Sequence, residues 1–239
     1  MGRNTKTKVD NEFYPFPHTP HFAGSAVCKK GSKKLNDVAT RRVLRAPLVV
    51  QEKLNGLNIG IGLVDGRLAI QGRRRYMGPS GQTRFAWDWA EEHCCQLSGL
   101  LGEEMLLFGE LLDVRHTVRY TGLHSHIIFF DLYSKSERTF VTHNELCGRI
   151  DAAFGRGSAK SMTPPVLAKG KKFESGRELR SLLGKSRYSD EQMEGLYIRR
   201  EKNGSLAGRY KLVGTSFAGK REREANWSTR RVEINGLAA

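Results

Sequence analysis

From Leu48 onward the hydrophobic pattern of the chain reads first as strands. "LVVQEKLNG" is an apolar run that ends at Lys53 and closes on Asn55-Gly56, and "LNIGIGLVDGRLAIQG" alternates with period two on both sides of Asp65-Gly66, the mark of a tight hairpin. Gly60 and Gly62 in the first arm predict a ligand or another backbone passing close by. After the loop "MGPSGQ", Thr83 caps a helical spacing that runs through "RFAWDWAEEHCCQLSGLL". "EMLLFGELLDV", "TVRYTG" and "HIIFFDLYS" then read as strands, and the continuous apolar run of the third predicts burial on both faces. "HNELCGRIDAAFG" and "SGRELRSLLGK" read as helices. "EGLYIRRE" and "AGRYKLVG" read as a closing strand pair that turns at Lys202-Asn203-Gly204. Strand runs with interspersed helices predict an α+β domain of antiparallel sheets flanked by helices, over residues 46–239. Residues 1–45 differ. Rich in proline, histidine and lysine, they predict a basic arm with little regular structure, partly docked through the aromatics of "FYPFPHTPHFAG".

Composition narrows the partners. Among 239 residues, 40 lysines and arginines face 25 carboxylates, a net charge of +15. Such an excess attracts polyanions, so nucleic acid is the leading partner and an acidic membrane surface the weaker one. Basic residues gather at Lys29-Lys30, Lys33-Lys34, Arg41-Arg42, Arg45, Arg73 to Arg75, and between Lys160 and Arg187. No apolar run approaches a membrane span and the first residues hold no apolar leader, which predicts an intracellular protein, cytoplasmic or nuclear. Cys28, Cys94, Cys95 and Cys147 have no metal-ligand spacing with the histidines and read as reduced thiols.

The candidate chemistry begins at Lys53. An amine is a covalent nucleophile once neutral, a state favoured by nearby cations or desolvation. Lys53 ends an apolar strand, and the hairpin brings Arg73 to Arg75 up behind it. A nucleotide phosphate suits such a lysine, because a phosphoramidate forms while cations hold the oxygens. On its own a lysine before an Asn-Gly turn is an ordinary surface feature; its companions make it more. Glu110 within "LFGELL" and Asp131 within "IIFFDLY" are carboxylates in apolar strands, costly unless each meets a cation, a hydroxyl or metal-bound water. Phe130 offers an aromatic face to a base. Glu194, Arg199, Arg209 and Lys211 lie on the closing strand pair.

In this order these stretches resemble the six collinear motifs of the covalent nucleotidyltransferase superfamily: "EKLNGLN", an arginine after the hairpin, "FGEL", "FFD", "EGLYIRR" and "RYKLV". Within it the chain is similar to the ATP-dependent RNA ligases of the phage T4 RNA ligase 2 group, from about "FPHTPHF" to the "NWSTRR" tail. Asn58 stands where DNA ligases and capping enzymes favour arginine, while Asn55 departs from the commoner aspartate at a position that varies in RNA ligases. Only a short tail follows Lys211, too little for the oligonucleotide-binding barrel known in DNA ligases and capping enzymes. The resemblance implies an ATP-grasp-like ligase fold without that barrel.

It also implies an enzyme that uses ATP and Mg²⁺ (or Mn²⁺) to join RNA ends, at a nicked duplex or a break, through a lysyl-AMP and an RNA-adenylate. Lys53 would be the nucleophile. Glu52 would face the adenine and Phe130 would stack on it. Asn55 belongs to the nucleotide-binding motif, and Asn58, Arg73 and Glu110 would hold ribose and phosphate. Arg199, Arg209 and Lys211 would contact phosphates, while Glu194 and Asp131 would engage the metal, largely through water. His116 is a further candidate contact. The alternatives are a DNA ligase, an mRNA guanylyltransferase-like enzyme, and an RNA-binding protein that keeps the fold without catalysis.

Overall fold

A computed structural model describes residues 13–26, 31–224 and 231–238. Cys28, Lys29, Lys30 and most of the "NWSTRR" stretch lie outside the described residues. The polypeptide forms α1 (Asp37–Leu44), β1 (Leu48–Lys53), β2 (Leu57–Val64), β3 (Arg67–Gln71), α2 (Arg84–Glu92), α3 (Cys94–Leu101), β4 (Met105–Leu111), β5 (Ile127–Ser134) and β6 (Thr139–Phe140). It continues with α4 (His143–Phe154), α5 (Ser158–Met162), β7 (Val166–Lys171), α6 (Gly176–Arg180), β8 (Gly195–Lys202), β9 (Ser205–Val213) and α7 (Thr215–Arg223). Two antiparallel sheets result, one ordered β7-β1-β8-β9 and the other β3-β2-β4-β5-β6. No helix among the described residues is long and apolar enough to cross a membrane.

Each sheet buries its own core. Helices α2 to α5 cover the five-stranded sheet over Ile59, Ile61, Leu107 and Phe129, while α1 and α6 cover the four-stranded sheet over Leu48, Val50, Leu196 and Ile198. Both hairpins turn where only a left-handed backbone closes them. Asp65-Gly66 and Asn203-Gly204 have φ of 50° and 73°, and of 52° and 76°, the pattern of a primed two-residue turn.

Several elements depart from the sequence pattern. The helix expected over 84–101 breaks at His93, whose backbone sits at φ −106°, ψ 25°. Its ring nitrogen lies 2.8 Å from the Trp89 carbonyl, which also accepts the His93 backbone N–H at 3.1 Å, and the ring stacks on Trp89 at 4.5 Å. "TVRYTG" is not a strand. Its amides go instead to Asn55, Glu191 and Asn235 side chains and to the Tyr188 carbonyl. Residues 37–44 of the supposedly irregular arm form α1, capped by the Asn36 side chain accepting from the Ala39 N–H at 2.8 Å. The helix predicted over "SGRELRSLLGK" shortens to α6. At Gly60 the close neighbours are side chains, with Gln71 and Phe108 atoms 2.9 Å from where a Cβ would stand, rather than another backbone.

Candidate active site

The site lies between the sheets, where β1, β8 and β9 of one face β2, β4 and β5 of the other. Lys53 ends β1 opposite Gly195 on β8, and its Nζ lies 2.9 Å from Glu194 Oε2 and 3.3 Å from the Leu54 carbonyl. On the facing sheet, Asn58 and Glu110 are direct cross-strand partners. The turn between β1 and β2 joins the two halves: the Gly56 N–H donates to Glu110 Oε1 at 3.0 Å. A Cβ at Gly56 would run into the Leu111 carbonyl oxygen, so close approach to β4 requires glycine there.

Two spaces meet at Lys53. A pocket of about 150 Å³ is lined by Glu52, Asn58, Arg73, Glu110, Phe130, Tyr197 and Lys211, with Phe16, His18 and Thr19 of the N-terminal segment also on its wall. On the other side, an open cleft of about 870 Å³ carries Arg73, Arg74, Arg75, His116, Glu194 and Arg221. Lys53, Asn58, Arg73 and Glu110 line both. The small pocket has the aromatic wall and sparse polar groups that suit a flat base, and the large cleft has the cations that suit phosphates.

A β-bulge explains how adjacent residues of β5 both serve this region. Phe108 pairs with Asp131 and Gly109 with Phe129, which leaves Phe130 as the extra residue. Bulges re-aim side chains. Phe130 thereby reaches the pocket, 5.3 Å from the Phe16 ring and 5.6 Å from the Tyr197 ring. Phe16 is held in turn by Phe108 at 5.0 Å and by Arg209, whose guanidinium sits 4.9 Å over its ring. The sequence offered the aromatics of "FYPFPHTPHF" as docking groups but not as pocket lining. His18 and Thr19 were not singled out at all.

Asp131, Arg199 and Arg209, expected at ligands, engage one another in the structure. Asp131 is fully buried, with one oxygen paired to Arg199 and the other accepting from Arg209 at 2.9 Å and the Tyr197 hydroxyl at 2.5 Å. Arg199 is equally buried and also donates to the carbonyls of Phe130 and Val141 and to Glu201. Asp131, Arg199 and Arg209 thus form an ion cluster that ties the sheets together behind Phe130. Such a buried carboxylate is tolerated because every oxygen meets a cation or hydroxyl. Asn55 is held at the cleft by four hydrogen bonds. Its Oδ1 accepts from the Thr117 and Val118 amides at 2.7 and 3.2 Å, its own N–H donates to the Tyr120 hydroxyl at 2.8 Å, and its Nδ2 donates to Glu194 Oε2 at 3.2 Å.

The remaining carboxylates are set by burial. Burial raises the Glu110 carboxyl above its usual range, against the pull of Lys53, and neighbouring Glu194 adds to the rise. Burial also raises Glu52, partly offset by the Arg187 N–H at 2.8 Å and the Ser186 hydroxyl at 2.5 Å that donate to its oxygens. Asn58 Oδ1 is buried without a hydrogen-bond partner at the pocket edge, an acceptor open to a ligand donor. His124 and His126 do not form a metal pair: His124 packs edge-on to Tyr188, and His126 engages the Asn235 carbonyl. Among the described residues no three histidine, cysteine, aspartate or glutamate side chains converge as a metal cage.

Two facing antiparallel sheets thus hold a lysine between a base-sized pocket and a cationic cleft. Residues 46–213 match the family described as RNA ligase, and the chain belongs to that family. Its fold is similar to solved structures of the Naegleria gruberi RNA ligase. One, a lysine-to-alanine variant with ATP and Mn, has a TM-score of 0.57 at 17% identity, covering 76% of this chain and 53% of that one. A second lysine variant with ATP and Mn gives 0.59 at 16% identity, covering 89% and 64%, and a glutamate variant with AMP and Mn gives 0.56 at 18%, covering 76% and 53%. The chain thus spans about half to two thirds of the length of these ligases. No curated protein matches it in sequence.

Proposed function

We propose that this chain is an ATP-dependent RNA ligase that seals 5′-phosphate and 3′-hydroxyl ends through a lysyl-AMP and an RNA-adenylate. The observation that carries this reading is the position of Lys53, at the junction of the base-sized pocket and the cationic cleft, held by Glu194 at 2.9 Å. The adenine occupies the pocket against Phe130 and Phe16, the ribose meets Asn58 and Glu110, and Lys211 and Arg73 contact phosphates. Lys53 then attacks the α-phosphorus. An N–P bond forms as the bond to pyrophosphate breaks, and the two protons displaced from the ammonium leave to pyrophosphate and solvent. In the next two steps a 5′-phosphate takes the AMP from Lys53 and a 3′-hydroxyl expels it. Each step is phosphoryl transfer, governed by positioning and charge neutralisation.

Glu194 and Glu110 are the protein carboxylates that would hold a divalent ion here, largely through water. When bound, the ion neutralises phosphate charge and competes with Lys53 for Glu194. Mn accompanies nucleotide in the structures of the Naegleria relatives, which supports a divalent requirement. The open cleft, with Arg73 to Arg75 and Arg221, is the RNA-facing side. Incubation with labelled ATP, then with nicked or broken RNA, tests the reading: a protein-AMP adduct and a sealed strand are expected. Labelling by GTP in preference to ATP would favour a guanylyltransferase, and RNA binding without any adduct would favour a non-catalytic role.

A further inference from the structure

Residues 231–238 lie beyond the region that matches the RNA ligase family, yet they are wired to the nucleophile. The segment lies across the loop that joins β4 to β5, through bridges at Val114–Ile234 and Leu123–Leu237. Burial of apolar side chains does not hold it, since Val232, Ile234 and Leu237 are all more than half exposed. The buried residue is polar: Asn235 is 3% exposed. Its Nδ2 donates to the Leu112 carbonyl at 2.7 Å, and its Oδ1 accepts from the Tyr120 N–H at 2.9 Å. Backbone bonds from Asn235 to the Asp113 carbonyl and from Gly236 to the Tyr120 carbonyl close the grip.

Tyr120 passes this grip on. Its hydroxyl accepts the Asn55 N–H at 2.8 Å, while Asn55 donates to Glu194, the partner of Lys53. The Tyr120 ring is fully buried, so its hydroxyl cannot drift without moving the loop. A continuous series of hydrogen bonds therefore runs from Asn235 through Tyr120 and Asn55 to the Lys53–Glu194 pair. A second tie fixes the same loop from outside, where Arg115 pairs with Glu233 at 2.7 Å and with Glu224, just past α7, at 3.4 Å.

We propose that Asn235 is a positioning residue for Lys53, with the C-terminal strap and Tyr120 setting the turn from which the lysine attacks. The inference rests on the reading of Lys53 as nucleophile. Attack on phosphorus needs the amine aligned with the departing pyrophosphate, and rates fall steeply with small misplacement. Loss of the Asn235 amide would leave the buried Tyr120 N–H and Leu112 carbonyl without partners and slacken the loop. The consequence falls on formation of the N–P bond. Sealing of an RNA strand that already carries AMP does not use the lysine amine, so it provides the internal control.

The test compares Asn235→Ala and Tyr120→Phe with the unaltered full chain in two reactions: single-turnover transfer of labelled AMP from ATP to protein, and sealing of a chemically pre-adenylated RNA. Tyr120→Phe removes only the hydroxyl link and keeps the ring, so it guards against a folding defect. We expect both variants to slow AMP transfer by about tenfold to a hundredfold while pre-adenylated sealing stays within about threefold, with the ATP concentration at half-maximal rate little changed. Parallel loss in both reactions would show the strap to be structural only, and unchanged transfer would show it to be uncoupled; either result overturns the proposal. If the unaltered chain itself formed no adduct, the reading of Lys53 would fall first, an outcome distinct from both.

Discussion

Lys53 Nζ and Glu194 Oε2 lie 2.9 Å apart across the β1–β8 pair, and Asn55 Nδ2 donates to the same oxygen. The lysine is thus aimed before any ligand arrives, and its carboxylate partner is the group a divalent ion would claim. Glu194→Gln keeps the shape and removes the charge. AMP transfer is expected to drop by about a hundredfold or more, the scale of losing one electrostatic contact at a reacting centre, with a higher Mg²⁺ concentration needed for half-maximal rate. An unchanged metal dependence in a rapid-quench titration would remove Glu194 from the metal's surroundings.

Phe16 is the aromatic wall that no family motif contributes, 5.3 Å from Phe130. Phe16→Ala is expected to weaken ATP binding by about threefold to tenfold, the worth of one aromatic contact, and to leave the limiting rate of AMP transfer nearly intact. Equilibrium binding of a fluorescent ATP analogue, beside the saturating rate, separates these effects. Loss in the limiting rate alone would place Phe16 elsewhere in the mechanism.

Asp131 joins Arg199, Arg209 and Tyr197 in the buried ion cluster. Asp131→Ala leaves two guanidinium groups without their shared carboxylate, one of them fully buried, and is expected to destabilise the fold by roughly 3–5 kcal/mol. Urea unfolding monitored by tryptophan fluorescence measures this. A variant as stable as the parent would mean that water reaches the cluster and compensates.

Two buried histidines give stability a pH dependence. Burial holds His21 down at about 4, with Lys211, His18, Lys53 and Lys34 adding to the effect. Burial lowers His143 to about 4 too, Arg199 and Lys169 acting with it and Glu201 and Asp131 against it. A folded value below the unfolded one means that stability is full above about pH 6.5 and declines as pH falls towards 4, because only the unfolded chain gains the proton easily. The buried Glu110 and Glu52 carboxyls, raised in the fold, act in the opposite sense and recover some stability on acidification. Melting temperature is expected to fall between pH 7 and pH 5, less steeply in a His21→Asn, His143→Gln double variant. Identical slopes in the two proteins would refute the assignment.

The strand pattern and turn residues were enough to locate both hairpins, because Asp-Gly and Asn-Gly at 65–66 and 203–204 leave few other closures. Costly carboxylates in apolar strands likewise pointed to Glu110 and Asp131. Only the fold could show that Asp131 spends its oxygens on Arg199 and Arg209 while Glu110 faces the pocket, since local sequence cannot say which cation arrives. The misreading of "TVRYTG" has the same origin: its amides are satisfied by Asn55, Tyr188, Glu191 and Asn235, residues about 60 to 115 positions away. The Phe130 bulge left no mark in the residue pattern, because an extra residue in a continuous apolar run does not disturb its hydrophobicity.

The central claim is that Lys53 carries the AMP. Intact-mass analysis of the protein after incubation with ATP and Mg²⁺, beside Lys53→Ala, tests it most directly. The account predicts a single AMP adduct on the unaltered chain, removed by excess pyrophosphate and absent from the variant. An adduct that persists in Lys53→Ala would contradict it.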